Sequence, residues 1–96
     1  MSSVILYFFL YCFYNKILME EKNMKNREAL CKKVGENLKM ARKAKGLTQK
    51  EVAKLLNKFQ PDYSEYESGK IELDYYKIVF LCELLDITPN DLFGFN

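Results

Sequence analysis

Residues 46–69 read GLTQKEVAKLLNKFQPDYSEYESG, and the spacing within them decides the fold. Thr48-Gln49-Lys50-Glu51 has the form of a capping box. The Thr48 hydroxyl can accept from the Glu51 amide while the Glu51 side chain reaches back to Thr48. Val52, Ala53, Leu55 and Leu56 then give a short helix one apolar face. Asn57 ends that helix, because asparagine enters the left-handed region at modest cost. A second helix runs from Gln60 to Ser68. Pro61 is tolerated in its first turn, where a missing amide costs no hydrogen bond. Tyr63 and Tyr66 mark its buried side, and Gly69 stops it. Two short helices joined across Asn57-Lys58-Phe59 make a helix-turn-helix over 48–69.

Helical spacing continues on both sides. Leu30, Val34, Leu38 and Ala41 put an apolar face on a preceding helix, and Gly46 reads as its stop. Asp74 opens a fourth helix that runs to about Leu85, with Ile78, Leu81, Cys82 and Leu85 as its core stripe. Thr88-Pro89-Asn90-Asp91 opens a short fifth, with Thr88 as cap and Pro89 in the first position. No segment after residue 20 alternates as a strand would. The expected fold is all-α: a compact five-helix bundle over 34–93, preceded by an apolar extension over 1–24. Tyr76, Phe80 and Leu84 form a second apolar stripe on the fourth helix, at four-residue spacing, and point to an interface with a second copy or with the extension.

The segment GLTQKEVAKLL, then Tyr63, Ser64 and Tyr66, the ending YESGK and the tail LCELLDITPNDLF together resemble the Cro and phage-repressor type of helix-turn-helix, the XRE family. The resemblance spans about Val34 to Phe93. It implies a lambda-repressor-like fold and a small, repressor-like transcriptional regulator that binds double-stranded DNA as a homodimer. In such proteins the second helix of the motif enters the major groove and meets base edges with its first residues. Carried over, Gln60 is the base reader, since a glutamine amide pairs with both N6 and N7 of adenine. Gln49 would donate to a phosphate beside the free amides of its helix. Lys50, Lys58 and Lys70 would flank the groove, with Lys39 and Lys43 of the first helix in support. Pro61 and Ser64 belong to the same face. Arg42 and Glu67 match positions that form a buried ion pair in relatives, a contact that would lock the recognition helix to the first helix. Ala53 falls where the two motif helices cross, and Tyr63 would fill the space between them.

Three residues depart from the pattern. Asp62 and Glu65 stand where relatives carry serine, threonine or a base. A carboxylate can accept from cytosine N4, but it also repels phosphate. Phe59 replaces the usual hydroxyl cap, so this helix is less well capped; its ring can touch a thymine methyl or pack in the turn. The acidic pair supports an alternative function, a protein-binding helix-turn-helix of the antitoxin or anti-regulator kind.

Composition narrows the classes further. Ninety-six residues make one small domain. Residues 25–58 carry eleven Lys/Arg against three acids, whereas residues 59–96 carry two against eight, despite a net charge of only +2. Such asymmetry suggests a polyanion for the basic part, although a lysine-rich solvated surface has the same composition. There is no histidine, and the three cysteines form no CxxC pair. A Cys–His or Ser–His catalytic pair is therefore excluded, a metal site lacks ligands, and neither an enzyme nor a cofactor is expected. Buried thiols in a reducing, cytoplasmic setting fit best.

Val4–Tyr14 is an unbroken apolar run holding six of the fourteen aromatic residues. It is shorter than the roughly 20 residues of a membrane span, and it lacks the basic start of a secretory signal. Three readings are open: translation begins at Met19 or Met24; the run folds back on the domain or pairs with a second copy; or residues 4–19 touch a membrane.

Overall fold

In the computed structural model, one helix carries both the extension and the start of the bundle. The structure describes residues 2–95 and, for residues 2, 3 and 20–24, the backbone alone. α1 spans Ser2–Ala44 without interruption. Neither glycine nor proline precedes Gly35, and Glu28 stands four residues before Lys32, a spacing that supports a helix. At 1.5 Å per residue α1 is about 64 Å long, and it sets the longest dimension of a body measuring 67 × 29 × 19 Å. The molecule is thus elongated, and the five-helix bundle expected over 34–93 forms its C-terminal two-thirds. There the end of α1 joins α2 (Gln49–Leu55), α3 (Gln60–Ser68), α4 (Tyr75–Leu85) and α5 (Pro89–Phe93).

From Val4 to Met19 the apolar side chains are exposed around the whole circumference of α1. The run therefore does not fold back on the domain. Among the described residues no helix is long and apolar enough to cross a membrane.

Each of the five helices gives one fully buried side chain to the core: Leu38, Val52, Tyr63, Leu81 and Leu92. Burial of each of the four aliphatic side chains stabilises the fold by about 1.5–3 kcal/mol. Ala53, Tyr66, Cys82 and Leu85 complete the buried set, and Val34, Ala41, Leu47, Leu56 and Ile78 pack against it. Leu30 and Leu55, both expected on apolar faces, are largely exposed. Leu30 lies where α1 leaves the body, and Leu55 turns toward α4 at the end of α2. The cysteines also differ from expectation, since only Cys82 is buried, while Cys31 is half-buried and Cys12 is exposed on the arm.

The crossing of α1 and α3 depends on two glycines. Gly35 is buried, and a Cβ there would lie 2.4 Å from the Glu67 carbonyl oxygen and 2.7 Å from that of Tyr66. Gly69 stops α3 at φ +79°, and a Cβ there would meet the Lys32 Cα at 2.8 Å. Helix backbones touch at this seam, which no larger residue permits.

Caps fix the helix starts. The Thr48 hydroxyl accepts from the Glu51 amide at 3.1 Å. The expected return bond to the Thr48 amide is not formed, because the Glu51 carboxylate instead accepts from the Thr48 hydroxyl. The reciprocal box appears at α5, where Thr88 and Asp91 bond each other's amides. Asp74 caps α4 by accepting from the Lys77 amide at 2.8 Å. Phe59 precedes α3 and supplies no side-chain cap. Asn57 turns the chain between α2 and α3 at φ +57°.

Candidate nucleic-acid interface

The site is built outward from a buried ion pair. Arg42 of α1 and Glu67 of α3 meet in a two-pronged contact, Nε to Oε2 at 2.7 Å and Nη2 to Oε1 at 3.1 Å. Nη1 of Arg42 also donates to the Leu47 carbonyl at 2.8 Å, which fixes the loop leading into α2. Both side chains are more than 90% buried. Burial alone would push the Glu67 carboxyl up, but the polar groups around it, chief among them the Arg42 guanidinium, outweigh burial and hold the group below its ordinary value. The phenol of Tyr63 is pushed far up, chiefly by burial and then by the Glu67 carboxylate. Its hydroxyl has no hydrogen-bond partner among the described residues.

From Glu67 the chain of bonds runs to the surface. Gln49 Nε2 donates to Glu67 Oε1 at 3.0 Å, and Gln60 Nε2 donates to Gln49 Oε1 at 2.9 Å. Gln49 is thus a bridge between the buried pair and Gln60, and it keeps one amide hydrogen for a further acceptor. Gln60 is exposed at the first turn of α3. One of its N–H groups is spent on Gln49, so one N–H and the carbonyl oxygen remain.

Beside Gln60 is a shallow groove lined by Lys50, Ala53, Lys54, Asn57, Lys58 and Phe59. Lys54 was not singled out from sequence, although its place one turn after Lys50 was a usable signal. Lys70, in contrast, lies at the far end of α3 near Arg27 and Glu72, which pair with each other. Pro61 and Asp62 are exposed, while Ser64 and Glu65 are half-buried. Phe59 is 80% exposed and does not pack in the turn. Lys39 and Lys43 are exposed on α1.

On α4 the apolar surface is displaced from its expected stripe. Tyr76 is 75% exposed and its ring stacks on Phe80 with centroids 6.3 Å apart. Leu84 packs against the core instead. The exposed face is extended by Val79 and, from α2, by Leu55.

Residues 35–94 match the family model described as a helix-turn-helix domain. The chain belongs to that family, in its XRE type. It is similar to an uncharacterized HTH-type transcriptional regulator, YqaE, of Bacillus subtilis strain 168, at 42% identity over 53 residues. That match takes in 55% of this chain and 46% of the relative, so the chain spans about half the length of that regulator. It is also similar in structure to the restriction-modification controller protein C.AhdI from Aeromonas hydrophila, with a TM-score of 0.61 and 34% identity. That likeness covers 68% of this chain and 98% of the controller.

Proposed function

We propose that this protein is a transcriptional regulator that binds double-stranded DNA sequence-specifically through α3. The observation that carries the reading is the bonded series from Arg42 through Glu67 and Gln49 to Gln60. It holds the Gln60 amide at the exposed start of α3 with one donor and one acceptor unspent. Those are the groups that match N7 and N6 of adenine in the major groove. Lys50, Lys54 and Lys58 beside it supply cations for the phosphate backbone. The names of the relatives, a transcriptional regulator and a controller protein, agree with this role.

One such helix addresses only a few base pairs, so two copies on half-sites about 34 Å apart are the working unit. The apolar face of Leu55, Tyr76, Val79 and Phe80 suits a second subunit. Phe80→Glu should shift sedimentation toward the monomer; an unchanged profile rejects this interface.

Selection of bound duplexes from a random pool tests the main reading. An enriched motif that contains adenine and is lost with Gln60→Ala supports it. Asp62 and Glu65 favour the rival, in which α3 meets a protein. Titration with random duplex at two salt concentrations separates the two. Affinity that falls steeply with salt supports phosphate contact, while no binding at low salt supports the rival.

A further inference from the structure

We infer that Phe59 is a specificity-determining residue that reads a thymine methyl group next to the base pair addressed by Gln60; the inference rests on the DNA-binding reading above. Phe59 is the most exposed phenylalanine among the described residues, at 80%. It occupies the cap position of α3, where a hydroxyl or carboxamide would ordinarily sit, and it contributes no capping bond. A ring there does nothing visible for the fold. Its surroundings also argue against a protein contact. It shares its groove with Lys50, Lys54, Lys58, Asn57 and Gln60 rather than with other large apolar side chains. The centre of a protein interface is depleted in charge, whereas a ring among lysines suits an apolar feature inside a polyanion.

The placement agrees. Phe59 directly precedes Gln60, and both are exposed at the start of α3, so the two side chains leave the same end of the helix. Consecutive residues 59 and 60 can therefore address consecutive base pairs. Gln60 is held by Gln49 at 2.9 Å, which orients the end of α3 that carries both side chains. In the major groove the thymine C5 methyl is the apolar feature that a phenyl ring can cover.

The probe is the duplex enriched from the random pool, remade with each thymine replaced singly by deoxyuridine, which removes only the methyl. One position per half-site, adjacent to the adenine lost with Gln60→Ala, should weaken binding about fourfold, the value of burying one methyl-sized group. Phe59→Ala should bind the thymine and uracil duplexes equally, and Phe59→Leu should keep part of the difference. Since the side chain is exposed, both variants should fold. Equal binding of thymine and uracil at every position by the native protein overturns the inference, and if Gln60→Ala still abolishes the motif the DNA-binding reading stands without it. A Phe59→Ala variant that changes duplex bending but not methyl preference also overturns it, in favour of a wedge between bases. If no duplex is enriched at all, the DNA-binding reading fails first and this inference with it.

Discussion

The seam between α1 and α3 and the outer edge of α3 are formed by the same nine-residue helix, yet opposite demands act on them. At the seam Tyr63, Tyr66 and Glu67 are buried, and Gly35 lets the two backbones touch. At the edge Gln60, Pro61 and Asp62 are exposed and Phe59 projects almost freely. The seam tolerates almost no change in volume or charge. The edge tolerates nearly any change without loss of the fold, which leaves it free to differ in specificity. The Arg42–Glu67–Gln49–Gln60 series is where the two regions communicate.

Substitutions test that contrast. Arg42→Ala should have the largest effect, because it leaves the Glu67 carboxylate buried without its cation and frees the Leu47 carbonyl. A loss of about 3–5 kcal/mol is expected in denaturant unfolding; a near-neutral shift would show the pair to be a solvated surface contact. Gly35→Ala follows, at about 3 kcal/mol, the upper end of ordinary overpacking, because the obstruction is backbone that cannot swing aside. Acid should act at the same seam. The folded-state pKa of Glu67 is depressed, so its stabilisation is full above the unfolded value of about 4.3 and is lost as pH falls below it toward the folded value. Glu67→Gln should flatten that acid limb in a stability-versus-pH series, and an unaltered limb would assign it to other carboxylates. Gln60→Ala should be the mildest, within about 0.5 kcal/mol of the native stability, yet it should erase base preference in the selection. A large loss of stability there would mean that the edge carries structural weight after all.

The two glycines divide in how far they could be read. Gly69 announces itself as a helix stop after Tyr63 and Tyr66. Gly35 gives no such signal inside α1, because only the approach of α3 makes its missing side chain necessary. The lysines divide in the same way. Lys50 and Lys58 were legible from their place in the motif, whereas Lys54 was missed although it follows Lys50 by one helical turn. That Lys70 lies apart, at the other end of α3, depends on where the chain goes after Gly69. The bridging role of Gln49 was hidden because sequence places it beside a helix start, where a phosphate contact is the simplest reading. The carboxylate that draws it inward is eighteen residues away.

By itself the sequence determined the helices, their caps and the motif. These depend on local chemistry: the 3.6-residue repeat, the hydroxyl of Thr48, the missing amide of Pro61 and the left-handed turn at Asn57. Tertiary structure decided what the motif presents. It left the apolar N-terminal stretch of α1 in solvent. It also packed Leu84 against the core while leaving Tyr76 outside. At the start of α3 it secured Gln60 through Gln49 and left Phe59 free. The physical reason is that capping and periodicity act over three or four residues, whereas burial and bridging hydrogen bonds join residues that only the folded chain brings together.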